Sequence, residues 1–239
     1  MKNPAYRRVL IKLSGEALLG SSSYGVDPLA CQKIALAIKE ISETGVQVGI
    51  VIGGGNIFRG IQAKEAKLER IPADQIGMLA TLINGISLQQ AFQNISAPSR
   101  VLSAFPCPSI VEQYTYTAAR TYLDQGTILI FAGGTGNPFF TTDSAAALRA
   151  LEIRAEVLLK ATKVDGIYNK DPIQYPDAIK FERLSYSDVL NQNLKVMDGA
   201  AIALCRENRI PIRVFNLFSD RALMQAVMNQ PVGTLVEGL

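Results

Sequence analysis

The chain has 239 residues, 48% hydrophobic and 19% charged, with 24 Lys and Arg against 21 Asp and Glu for a formal net charge of +3. A chain of this size can bury roughly 70–75% of its unfolded surface, which predicts one domain over residues 1–239. So small and dispersed a positive charge argues against a nucleic-acid surface, no run reaches the roughly 18–20 apolar residues of a membrane span, and no signal-peptide pattern opens the chain, so a cytoplasmic protein is expected.

Val9 to Leu13 reads as a buried strand. Asp27-Pro28 then supplies a helix cap with proline at the first position, followed by Leu29, Ile34, Ala37, Ile38 and Ile41 at helical spacing, and Gly45 ends that helix. Val46 to Ile52 is a continuous apolar strand that breaks at Gly53-Gly54-Gly55, and Ile76, Leu79, Ile83 and Ile86 mark a second helix ahead of a strand at Val101 to Ala104. The alternation continues with a helix at Thr117 to Leu123, a strand at Thr127 to Ala132, a helix at Ala145 to Ile153 and a strand at Val157 to Ala161. It closes with a helix at Met197 to Glu207, a strand at Ile212 to Phe215 and a helix near Leu223 to Met228. This predicts α/β architecture, an open and mainly parallel sheet with helices on both faces. Proline and aspartate between Asp165 and Ser185 predict an excursion, a hairpin over a bound nucleotide.

Ligands of open α/β sheets bind beyond the carboxyl ends of the strands. Four loops there carry chemistry: Lys12-Leu13-Ser14-Gly15, Gly53 to Gly60, Gly133 to Ser144, and Thr162 to Gly166. Lys12, Arg59 and Lys163 stand beside glycines in these loops, the combination of cations and main-chain N–H groups that polyphosphate needs. The third loop joins glycines, hydroxyls, Asn137, Phe139, Phe140 and Asp143 ahead of a helix start, which reads as a phosphate pocket. Gly55 and Gly60 have P-loop spacing, yet Ile61-Gln62 replaces the required Lys-Ser/Thr. Asp74, after Pro72-Ala73, reads as a helix cap as readily as a ligand contact, and Asp198, near Lys195, reads as a cap. Three cysteines, Cys31, Cys107 and Cys205, are expected to be reduced and mostly buried, with no metal site. The chain has no histidine, so its chemistry must run on lysine, carboxylate and positioning.

Lys12 to Ala17, Val51 to Asn56 with Arg59-Gly60, Thr135 to Asp143, Lys160 to Gly166 and Pro211 to Asn216, in that order, resemble the bacterial uridylate kinases of the amino acid kinase family along nearly the whole chain. The resemblance implies a three-layer αβα sandwich, assembly as a homohexamer, and transfer of the ATP γ-phosphate to UMP, with Mg²⁺ entering as MgATP, in pyrimidine nucleotide biosynthesis. It assigns ATP contacts to Lys12, Leu13, Ser14, Gly15, Gly55, Arg59, Thr162, Tyr168 and Asp171. It assigns UMP contacts to Gly54, Asp74 and Thr135, Gly136, Asn137, Pro138, Phe139, Phe140, Thr141 and Thr142. Gly20, Ser21, Ser22, Ser23, Tyr24 and Gly25 occupy the place of the segment through which GTP activates family members, and UTP is the usual inhibitor. Lys12 and Asp143 are the catalytic candidates, Lys12 bridging the transferring group and Asp143 holding that lysine or a Mg-bound water. A kinase with a carboxylate acceptor and a non-catalytic nucleotide-binding protein on the same fold are the rival readings.

Overall fold

The computed structural model describes residues 4–59, 67–194 and 196–238. Gly60, Ile61, Gln62 and Lys195 lie outside the described residues. The strands are β1 (Arg8–Leu13), β2 (Gln47–Ile52), β3 (Ser99–Ser103), β4 (Glu112–Gln113), β5 (Ile128–Ala132), β6 (Val157–Thr162), β7 (Ile167–Tyr168), β8 (Lys180–Phe181), β9 (Arg183–Ser185), β10 (Ile212–Asn216) and β11 (Thr234–Glu237). Among the described residues the α-helices are α1 (Pro28–Ser42), α2 (Arg70–Asn94), α3 (Tyr116–Asp124), α4 (Thr142–Glu152), α5 (Tyr186–Asn191), α6 (Gly199–Glu207) and α7 (Ala222–Val227). One sheet runs β4-β3-β5-β2-β1-β6-β10-β11-β9; its pairings are parallel except β10 with β11. The expected hairpin is present as β7 paired antiparallel with β8.

Successive residues of a strand face opposite sides of the sheet, and here that alternation builds two cores. Val9, Ile11 and Leu13 of β1, with Val157, Leu159 and Ala161 of β6, pack with Ile34, Ile38, Leu88 and Phe92 of α1 and α2. Leu10 and Leu158 face the other way, against Ala145, Ala146 and Ala147 of α4 and Ile202 of α6. Both faces are therefore covered, the expected three layers. Lys12 and Lys160 share the parity of Leu10 and Leu158, so both point to the α4 side, and the register sets them directly opposite each other.

The second expected helix is present as α2, but the residues that mark it do not face the core. The apolar residues that mark it, Ile76, Leu79, Ile83 and Ile86, are exposed, while Ala80, Thr81, Asn84, Gly85 and Leu88 are buried. Small residues let the helix lie close on the sheet, and the bulky row points outward. Asp74 is not its cap either, because the helix begins at Arg70 with Glu69 at the N-cap.

Candidate active site

The centre of the site is one carboxylate between two lysines. Lys12 Nζ stands 2.8 Å from Asp143 Oδ1, and Lys160 Nζ donates to Asp143 Oδ2 at 2.9 Å. These side chains are only 11%, 14% and 15% exposed for Lys12, Lys160 and Asp143, so water screens the pairs weakly. Burial pushes the Asp143 carboxyl upward, yet the two ammonium groups outweigh it and hold it below the ordinary carboxylate range. Burial pulls Lys160 below the ordinary lysine range; Asp143 offsets part of this and Lys12 adds to it. Lys160 Nζ also donates to the Val196 carbonyl.

Asp143 reaches this position because Thr141 caps α4, its hydroxyl accepting from Asp143 N–H at 3.0 Å. Thr141 and Ser144 both donate to the carboxylate of Asp198, which caps α6 by accepting from Ala201 N–H at 2.8 Å. One carboxylate thus joins two helix starts behind the lysine pair.

Two cavities open beside these residues. One, about 270 Å³, is lined by Lys12, Ser14, Glu16, Lys160, Thr162 and Lys163, with Leu217 and Phe218 as apolar wall. The other, about 190 Å³, is lined by Gly54, Gly55, Asp74, Thr135, Asn137, Phe140, Thr141 and Thr142, among others. Gly54 can sit there only as glycine, since a Cβ would lie 2.7 Å from the Gly77 carbonyl. In the Thr135 loop, Gly133, Gly134 and Gly136 hold φ of +80°, +60° and +82°, which turn the chain around the second cavity. Asp74 Oδ2 accepts from Phe139 N–H and from Arg70 Nε, each at 2.7 Å, tying α2 to the tip of that loop.

A sequence profile of the amino acid kinase family matches residues 7–216. The chain belongs to the amino acid kinase family. Within that family it is 54% identical over 234 residues to the uridylate kinase of Protochlamydia amoebophila, covering 97% of this chain and 93% of the relative. It is 51% identical to the uridylate kinase of Aeromonas salmonicida, covering 98% and 96%. The crystal structure of UMP kinase from Bacillus anthracis superposes with a TM-score of 0.94 at 39% identity, covering 97% of this chain and 96% of that one.

Against the family's expected site, the fold brings together Lys12, Ser14, Thr162 and Asp143 on one side and Gly54, Asp74 and the Thr135 to Thr142 loop on the other. Gly55, assigned to ATP by resemblance, lines the cavity of Asp74 instead. Tyr168 lies on the β7–β8 hairpin, its hydroxyl donating to Asp165, and Asp171 turns the following segment by accepting from Ile173 N–H at 2.9 Å; neither lines the Lys12 cavity. Arg59 pairs with Glu16 across 3.0 Å. Gly20, Ser21 and Ser22 line a third cavity of about 820 Å³ that shares Glu16, Lys163, Leu217 and Phe218 with the Lys12 cavity.

Motif and spacing do not single out Lys160 for catalysis, although a lysine inside an otherwise apolar buried strand is the signal that could have found it. Asn84 carries no sequence signal of its own. It donates to the Gly53 carbonyl at 2.7 Å and exchanges hydrogen bonds with Asn56, a buried pair that holds the glycine turn. Buried Arg149 stacks over Tyr114 at 4.0 Å, pairs with Glu152 and reaches toward the Gly134 carbonyl, supporting the other loop from beneath.

Proposed function

We propose that this chain transfers the γ-phosphate of ATP to UMP, giving ADP and UDP, a step of pyrimidine nucleotide synthesis in the cytoplasm. The observation that carries the reading is the lysine pair held by Asp143 beside two separate cavities, one flanked by cations and the other by an acid and an aromatic loop. Full-length similarity to uridylate kinases supports the same acceptor.

A UMP phosphate oxygen is already anionic and needs no base, so the obstacle is repulsion between two phosphoryl groups. Lys12 and Lys160 offset it by placing two ammonium groups where charge gathers in the loose transition state. Asp143 fixes their positions; both its oxygens are committed to lysines, so it acts as a positioning carboxylate rather than a proton acceptor. ATP lies over Leu13, Ser14, Gly15 and Thr162, with Arg59, Tyr168 and Asp171 toward its outer parts. UMP lies between Gly54, Asp74 and the Thr135 to Thr142 loop, where Asp74 accepts from ribose hydroxyls. Mg²⁺ enters in this reading as MgATP, held chiefly by the phosphates whose charge it neutralises. Among the described residues no group of three or more Asp, Glu, Cys or His is placed to cage a metal.

The assembly is a homohexamer in this reading, and the outward apolar row of α2 supplies a face for a second copy. GTP activation through Gly20 to Gly25 and UTP inhibition complete it. The test is ADP release by purified protein with MgATP against UMP, CMP, GMP, AMP and acetylglutamate. Preference for UMP is expected; turnover with acetylglutamate in its place overturns the acceptor.

A further inference from the structure

Glu16 stands at the mouth of the Lys12 cavity, in the 3₁₀ turn that follows β1. Its Oε1 lies 3.0 Å from Arg59 Nη2 and its Oε2 lies 3.0 Å from Lys163 Nζ. These cations belong to the loops after β2 and β6, the strands that flank β1 on either side. One carboxylate of the Lys12 cavity therefore bridges the loops on either side of β1. The ammonium of Lys163, hydrogen-bonded to it, and the guanidinium of Arg59 hold the Glu16 carboxyl below the ordinary range against the opposing effect of its partial burial.

The side chains of Arg59 and Lys163 are 47% and 59% exposed, and that of Glu16 is 36% exposed. Ion pairs this wet are weak and exchange readily for a better anion. A polyphosphate is such an anion, carrying more charge than a carboxylate and oxygens that match the guanidinium fork. We propose that Glu16 is a positioning residue that occupies Arg59 and Lys163 before nucleotide binds and yields them to the polyphosphate of the entering nucleotide. Glu16 then sets nucleotide affinity from below. It keeps both loops in place before binding, competes with ATP for the same cations, and by the same competition speeds release of ADP.

This inference rests on the reading of the Lys12 cavity as the site of the ATP polyphosphate. Glu16→Gln preserves size and removes the competing charge. Direct titration should show ATP and inorganic tripolyphosphate binding about three- to tenfold more tightly to Glu16→Gln than to the parent, with adenosine unchanged. The ATP KM and the ADP inhibition constant should fall together while kcat does not rise. A purely structural role would weaken all three ligands alike and lower the unfolding midpoint. If the parent binds tripolyphosphate and Glu16→Gln binds it equally or more weakly, the inference fails. If the parent itself binds neither ATP nor tripolyphosphate, the nucleotide reading of the cavity fails first. Glu16→Asp, which retains the charge, should not tighten binding; tightening there equal to that of Glu16→Gln also overturns the proposal.

Discussion

Replacing Asp143 by Asn tests the centre of the site. The substitution keeps the side-chain shape and deletes the one negative charge between Lys12 at 2.8 Å and Lys160 at 2.9 Å. Two ammonium groups, each less than one-sixth exposed, then lose the anion between them. Removing one partner of a buried ionic group costs about 3–5 kcal/mol, so Asp143→Asn should lower stability by that amount unless a lysine gives up its proton. If a lysine does so it is Lys160, already depressed by burial, and the loss should then shrink as pH rises toward 10.5. Losing one preorganised donor costs on the order of 10²–10³ in kcat, so the variant should retain its fold at moderate temperature and lose most of its turnover. Urea unfolding at fixed protein concentration, paired with steady-state kinetics, measures both losses. Added sulfate should recover more stability in Asp143→Asn than in the parent, because a divalent anion in the adjoining cavity, which both lysines line, can stand in for the lost charge. A variant within about 1 kcal/mol of the parent in stability, and with kcat within a few-fold, would refute the shared-carboxylate argument.

Lys12→Met and Lys160→Met should each reduce kcat by on the order of 10²–10³ with smaller effects on ATP binding, and rapid-quench single-turnover kinetics will separate the two. Asp74→Asn should raise the UMP KM by roughly tenfold to a hundredfold with little change in the ATP KM, since a hydrogen bond to a charged acceptor contributes about 1.5–3 kcal/mol. The pH dependence of stability follows from two depressed groups. Asp143 binds its proton less readily in the folded state, so its contribution is present above the ordinary carboxyl value of 3.8 and is lost as pH falls below it. Lys160 binds fewer protons folded than unfolded between its lowered value and 10.5, so stability should rise with pH across that window, and Lys160→Met should flatten that limb in unfolding titrations. Leu79→Glu with Ile83→Glu should convert the proposed homohexamer to a smaller species in sedimentation or light scattering while leaving the fold intact by circular dichroism, since both side chains are about half exposed.

Much of the fold is written locally. Apolar runs from Val9 to Leu13 and from Val46 to Ile52, the Asp27-Pro28 cap and the Gly45 stop are signals that a few neighbouring residues carry. Strand ends then locate the polar loops, so Lys12, the glycine triplet and the Thr135 loop can be picked out before any packing is known. What tertiary structure alone decided is which distant groups meet. The β1–β6 register puts Lys160 opposite Lys12, and the strand pleat turns both toward Asp143. Helix α2 reverses the expected face because close packing on the sheet selects Ala80, Asn84 and Gly85 and leaves Leu79 and Ile83 outside. Asp74 becomes a tether to Phe139 rather than a cap because the helix starts at Arg70, more than a turn before a helix capped at Asp74 would begin. Periodicity and capping report on residues within a turn or two, whereas register, face and ion-pair partners depend on contacts between segments far apart in the chain, whose energies no short stretch of sequence contains.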